Sequence, residues 1–426
     1  MAPDAGMLPR PAPSFIQGES SMVARQKRPR IGLALAGGGP VGGIYEVGAM
    51  AALAEAFEGA DFNEFDCYVG VSSGGFIAAL LANGMSPAKL ARMLVQNDAD
   101  EMFDPDMLLR PAFGEYCKRL LSVPPLLWSS FLHYVSDPWH LGMFEAFQRL
   151  GHALPAGMLD NSGVDKLLRK LFSMPGRTND FRKLRHRLFL VTTDLDSGES
   201  VAFGSAGYDK VPISTAVQAS AALPGLFPPV RIDGRYYVDG ALIKTLHASV
   251  ALREGAELVL CINPLVPFDA GLAARHPQRE HLAHAPAHLV DGGLPVVLSQ
   301  TFRAIIHSRM RVGMDRYRHE YGDADVVLFE PTSDDTEMFF TNVFSYRSRR
   351  RLCEHAYQRT RSELYRRRHE LAPILARHGI RLDVAGLKDH RRSLLPHKRR
   401  PDLAGATGAL DASLLDLERW LQSRDA

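Results

Sequence analysis

Two short apolar strands, each running straight into a tight small-residue turn and then a helix, constrain this chain more than any other feature. Ile31–Ala36 leads directly into Gly37-Gly38-Gly39, after which Ile44, Val47, Met50, Ala51 and Leu53 recur at helical spacing. Cys67-Tyr68-Val69 ends at Gly70 and is followed by a small-residue helix, Gly75–Ala82, stopped by Asn83-Gly84. Ser86-Pro87 then starts another helix, with proline in its first turn. Strands alternating with helices predict an α/β fold around a mainly parallel sheet covered on both faces. Further strands are expected at Leu188–Thr192, Leu258–Ile262 and Val326–Phe329. Val230–Ile232 and Arg235–Val238 flank Asp233-Gly234, a strong hairpin signal.

The remaining organisation follows from composition. Residues 1–29 are rich in Pro, Ser and Gly without an apolar core, which reads as a disordered leader and not as a signal peptide. Residues 30–345 form the body. Within it, 101–163 is looser and aromatic (Trp128, Phe131, Tyr134, Trp139), as expected of a helical insertion or lid. A His- and Pro-rich loop spans Phe268–Leu289. Residues 346–426 are expected to form a basic helical extension, closing with an amphipathic helix of Leu410, Leu414, Leu417 and Leu421. The formal net charge of +2 hides an asymmetry: Arg347–Arg400 holds 17 Lys+Arg against 5 Asp+Glu, which leaves −10 on the rest. That distribution suits peripheral contact with an anionic membrane through the extension. No reader motif or aromatic interleaving accompanies the basic residues, so no nucleic acid is expected. Four scattered cysteines (Cys67, Cys117, Cys261, Cys353) lack disulfide or zinc spacing and read as reduced, mostly buried thiols of a cytoplasmic protein. Ile31–Phe57 comes nearest to a membrane span, but Glu46 and seven glycines interrupt it.

Chemistry concentrates in three places. Gly70-Val71-Ser72-Ser73-Gly74 fits G-x-S-x-G between a strand and a helix, the context of a nucleophile elbow. The turn needs small neighbours and puts Ser72 at a helix N-terminus, where developing negative charge is favoured. Ser73 does not fit, because Val71 occupies its first glycine position. The Gly37–Gly43 loop admits two functional readings. Its amides could hold an oxyanion during acyl transfer, or Gly37-x-Gly39-x-x-Gly42 could bind a dinucleotide, although a serine turn stands where that fingerprint wants an acid. A serine needs a base. None of the 16 histidines lies in a recognisable catalytic context. Asp239, closing a hairpin strand in Val238-Asp239-Gly240-Ala241, is the alternative. Asp291-Gly292-Gly293 has similar composition but no strand before it.

Together these segments resemble the patatin-like phospholipase family, and the chain reads as a bacterial member of it. The family's glycine loop, G-x-S-x-G and D-G-[GA] segments occur in order. Thr193-Asp194-Leu195-Asp196-Ser197-Gly198 and the run Ala219–Val230 also fit, so the resemblance spans roughly Ile31–Pro264. It implies a three-layer sandwich and a Ser72–Asp239 dyad without histidine. It also implies an oxyanion hole of Gly37, Gly38 and Gly39, no metal or cofactor, and a phospholipid or other fatty-acyl ester as substrate. Two departures stand out: Val41 replaces a basic residue usual after the triple glycine, and Leu242–His247 replaces the usual Asn and Pro after D-G-[GA]. The rival expectation is a catalytically silent scaffold of the same fold that acts in membrane or protein interaction.

Overall fold

The computed structural model of the chain describes residues 28–95, 156–273, 288–341 and 346–394. The leader up to residue 27, most of the expected insertion and the terminal leucine repeat lie outside them. An eight-stranded sheet forms the centre. Its parallel part contains β1 (Ile31–Leu35), β3 (Cys67–Val71), β4 (Arg187–Asp194), β8 (Leu258–Ile262) and β9 (Asp325–Phe329), ordered β4-β3-β1-β8-β9. β1, β3 and β8 are buried at every residue. Strands covered on both faces carry continuous apolar runs instead of alternation. The antiparallel part adds β5 (Ser200–Phe203), β6 (Val230–Ile232) and β7 (Arg235–Asp239). Asp233 and Gly234 turn the β6–β7 hairpin with φ of 48° and 86°, the left-handed pair that such a two-residue loop requires.

Alternate residues of the strands feed two cores. Leu33, Leu35, Tyr68, Leu190 and Leu260 meet α1 (Gly39–Ala56), α2 (Ser73–Ala82), α3 (Pro87–Val95), α4 (Ser162–Phe172) and α5 (Ile213–Ser220) on one face. Ala34, Val69, Val191 and Cys261 meet α6 (Ala248–Arg253) and the long α7 (Gly293–Glu320) on the other. The three-layer expectation therefore holds. Cys67, Cys261 and Cys353 are buried and unpaired.

The basic extension, over its described part, belongs to the body. α8 (Tyr346–Arg366) lies along α1, and Leu352, Cys353, Ala356 and Leu364 enter the same core as the sheet. The approach needs a glycine: a Cβ on Gly48 would stand 2.3 Å from the Cys353 carbonyl oxygen. α9 (Arg368–Arg377) follows, and β10 (Arg381–Leu382) pairs antiparallel with β2 (Phe57–Glu58), the strand directly after α1. Opposite charges reinforce this contact. Arg361, 5% exposed, pairs with Glu55 at 3.0 Å and donates to the carbonyls of Gly386 and Asp389. Arg377 reaches Asp325 at 2.6 Å, and Arg381 and Arg392 pair with Glu58 and Glu55. Gly48→Val should lower stability by about 1–3 kcal/mol, because the obstructing atom is backbone and α8 must move. A denaturant melt equal to that of the unsubstituted protein would show α8 to be dispensable.

Candidate active site

The site arises where two strands share one edge of a third. Leu190–Thr193 of β4 pair with β5 along one edge. The other edge is divided: β3 runs parallel to β4 as far as Val71 opposite Val191, and β7 arrives antiparallel with Asp239 opposite Thr192. The ends of β3 and β7 thus meet head to head, and the residues placed there are Ser72 and Asp239. Both are nearly buried, at 8% and 2% exposure.

Ser72 sits on a strained turn with φ 54° and ψ −123° before α2 begins. Only tight packing sustains such a backbone in a non-glycine residue. A Cβ on Gly70 would fall 2.5 Å from the Gly74 carbonyl oxygen, and one on Gly74 2.5 Å from that of Ala36. These contacts explain the small residues of the motif. The turn is pinned by Ser220 at the end of α5, whose hydroxyl accepts from the Ser72 amide at 2.9 Å and donates to the Val191 carbonyl at 2.6 Å.

Asp239 accepts a hydrogen bond from the Ala241 amide at 2.8 Å, and the neighbouring Ser72 hydroxyl also favours its ionised form. Burial outweighs both and raises its pKa from 3.8 to about 6. Gly240 is required behind it, since a Cβ there would lie 2.5 Å from the Val191 carbonyl oxygen. The segment after Asp239, where the chain departs from the family pattern, closes on His247. That ring is buried beside the backbone of Gly240 and Lys244, and burial lowers its pKa to about 4, so it stays neutral.

The glycine loop lies against this pair. A Cβ on Gly37 would be 3.0 Å from Ser72 Cβ and 3.2 Å from Ala241 Cβ, while Pro264 just after β8 braces the far side, 2.5 Å from where Gly38 would carry one. Gly38 caps α1, and Gly39 begins it with φ +60°. Among the described residues, no hydrogen bond engages the amides of Gly37 and Gly38. The N–H of Gly39 belongs to the unsatisfied first turn of the helix. Val41, in place of the usual basic residue, packs against the core. Glu46, deep in α1, is fully buried. Burial raises its pKa well above the usual value, with the Ala36 amide acting in the opposite sense.

An apolar pocket opens from Ser72, lined by Ile44, Phe76, Ile77, Leu94, Val164 and Phe227 among others. Its charged lining residue among those described is Arg349, whose guanidinium also donates to the Leu94 carbonyl at 3.5 Å. The Asp194–Gly198 segment does not reach the pocket. It closes the β4–β5 turn, where Asp194 pairs with Arg235 at 2.9 Å. Asp291 instead caps a short turn before α7 and accepts from the His288 amide. Among the described residues, no group of His, Cys, Asp or Glu could hold a metal ion.

Fold and site together define an α/β protein with a serine elbow, a glycine loop and a buried carboxylate at the ends of its strands. The family model described as patatin-like phospholipase matches residues 33–252, just over half of the chain, and the chain belongs to that family. An uncharacterized protein of Acanthamoeba polyphaga mimivirus is 26% identical over 221 residues, covering 52% of this chain and 60% of that protein. An uncharacterized NTE family protein of Mycobacterium tuberculosis is 30% identical over 113 residues, 26% of this chain and 18% of its own length. The chain thus spans under two thirds of either relative. Among solved structures, VipD from Legionella pneumophila is similar with a TM-score of 0.34 at 16% identity, covering 78% of this chain and 66% of that one. The type III effector ExoU gives 0.32 at 17% identity, covering 80% and 53%.

Reading the sequence alone overlooks Ser220, His247, Pro264 and Arg349 as parts of the site. Ser220 lay in plain view inside the matching run Ala219–Val230; Pro264 and Arg349 act through contacts distant in sequence, and His247 through its burial. Ser220→Ala should leave the Ser72 amide and the Val191 carbonyl without their shared partner in a buried place. The expected loss is about 1–3 kcal/mol of stability, with a fall in kcat on any ester the protein turns over. An unchanged melt and unchanged kcat would show that the elbow holds its strain without Ser220.

Proposed function

We propose that this chain is a lipid acyl hydrolase, a phospholipase A-type serine esterase that cleaves carboxylic ester bonds of phospholipids or lysophospholipids. In this reading it is a cytoplasmic enzyme peripheral to the membrane. Bacterial origin is carried in the same proposal, since relatives come from mycobacteria as well as from a mimivirus. The observation that carries the reading is the Ser72 side chain set against the buried Asp239 carboxylate, beside the Gly37–Gly39 loop and at the mouth of an apolar pocket. Asp239 takes the Ser72 proton as Oγ attacks the ester carbonyl. The tetrahedral oxyanion rests on amides of Gly37–Gly39, each such donor being worth ~10²–10³ in rate. The C–O bond to the leaving alcohol breaks, and the alcohol takes up the proton held by Asp239. Water, deprotonated by Asp239 in turn, then attacks the acyl-enzyme, releasing the fatty acid and restoring the Ser72 hydroxyl. The pocket supports a long acyl chain, whose methylenes each gain about 0.8 kcal/mol on burial.

A fluorophosphonate probe should label Ser72 and leave Ser72→Ala unlabelled. Folded protein that resists labelling would favour the silent scaffold instead. Since the base must be ionised, kcat/KM should rise with pH through about 6, the Asp239 value. A profile flat from pH 5 to 8 would remove Asp239 from the role. The same shift has a stability consequence. The native pKa lies above the unfolded one, so the stabilising contribution of the protonated acid is complete below 3.8 and lost as pH rises through about 6. The loss is on the order of 3 kcal/mol. Asp239→Asn should therefore abolish turnover while raising Tm by a few degrees at pH 8, the advantage vanishing at pH 4.

A further inference from the structure

We infer that the outer face of α7 is the surface by which this protein seats on an anionic lipid bilayer. α7 is 28 residues long and carries two apolar faces. The inner one, with Met310, Met314 and Tyr317, packs on the sheet. Diametrically opposite, Leu294, Val297, Leu298, Phe302, Ile305 and Val312 are 38–69% exposed. At 100° per residue they fall within an arc of about 140°. More than half of the large exposed hydrophobic side chains among the described residues lie between Val290 and Val312. Among the described residues no core cluster includes this stripe, and a contiguous apolar strip in water marks a surface that something covers.

Charge selects the occupant. From Gly293 to Met314 the helix carries no acid, the first being Asp315; Arg309 and Arg311 are exposed, whereas Arg303 turns inward to the Val266 carbonyl and the Phe339 ring. Neither Arg309 nor Arg311 forms an ion pair among the described residues. To a second copy of the chain the stretch offers no acid before Asp315 with which these arginines could pair. A bilayer surface instead offers anionic headgroups to the arginines and acyl chains to the stripe, the two demands of an interfacial helix. Position agrees with this. Arg309 donates to the Leu242 carbonyl at 3.4 Å, three residues beyond Asp239. Gln300 holds the backbone of Phe268 by two bonds of 2.7 and 3.0 Å, four residues beyond Pro264, which braces Gly38. These contacts set α7 beside the segments that follow β7 and β8. The basic extension, expected from the sequence to make such contact, has several of its arginines engaged with body acids.

The inference extends the lipid-hydrolase reading, but its test avoids catalysis: binding is measured in Ser72→Ala protein, whatever activity the parent proves to have. Sedimentation with vesicles of phosphatidylcholine, with and without phosphatidylglycerol, gives the partition coefficient. Replacing Leu298, Phe302 and Ile305 together by Ser should lower it at least about tenfold. Arg311→Gln should lower it several-fold on phosphatidylglycerol vesicles only. Phe302→Trp, which keeps the face apolar, should gain an emission quenched by brominated acyl chains. The assignment is overturned by parent protein that does not bind, by unchanged binding of the triple variant, or by a Phe302→Trp variant whose added emission the brominated chains leave unquenched. It is overturned equally if the parent is a dimer that the triple variant dissociates, since the face is then a contact between copies.

Discussion

The edge of β4 is the constraint on which the site depends. A strand has two edges, and from Leu190 to Thr193 one of these is taken by β5, so β3 and β7 must divide the other between them. Two chain ends meeting there leave almost no room. The Val191 carbonyl at the junction receives the Ser220 hydroxyl and faces the only kind of residue, a glycine at 240, that fits beside it. The crowding explains why the nucleophile turn is strained and why the chain must turn sharply after Asp239. It also explains how residues far apart in sequence are held within hydrogen-bonding reach without a histidine to bridge them.

This arrangement was legible in the sequence only in its local parts. The β1–loop–α1 and β3–elbow–α2 units were readable because continuous apolar runs, tight glycine turns and helical spacing are encoded within a few residues each. Leu258–Ile262 coincides with β8, and the Asp233-Gly234 turn adopts the conformation its residue types demand. Nothing local says that β3 and β7 share an edge, because that follows from two separate pairings with β4, such as Cys67 with Arg187 and Thr192 with Asp239. β5 escaped notice for a related reason: four residues of mixed polarity make a strand only against β4. α7 escaped because its apolar residues occupy two opposite faces, which blurs the one-sided spacing by which a surface helix is read.

Charge shows the same division between local and long-range information. A −10 body and a +12 segment suggest two objects with separate tasks, and the terminal basic segment suggests an arm. In the fold the two are halves of one surface. Glu55 at the end of α1 receives Arg361 and Arg392, and Asp325 at the start of β9 receives Arg377 and His378. Isolated exposed pairs of this kind contribute little. Here they flank a seam in which Gly48 admits α8 to backbone contact, so burial holds the segment in place and the charges select which surface it meets.

A carboxylate serving as the base of a serine nucleophile faces a difficulty that histidine does not: an ordinary aspartate, near pH 4, binds the serine proton too weakly. Burial supplies the remedy. Removing Asp239 from water raises its pKa to about 6, close to the unperturbed imidazole value of about 6.5. The proposed mechanism therefore uses the position of Asp239 to give a carboxylate the basicity of a histidine. The same desolvation opposes folding, as does the backbone strain at Ser72. Both are sustained by contacts that look merely structural, among them Ser220 on the Val191 carbonyl, Pro264 on the glycine loop and His247 beneath the turn. His247 must itself stay neutral, because a cation this close to the turn would pull the Asp239 pKa back toward its ordinary value. In the proposed mechanism the residues around Ser72 and Asp239 thus bear on the chemistry as firmly as the pair itself.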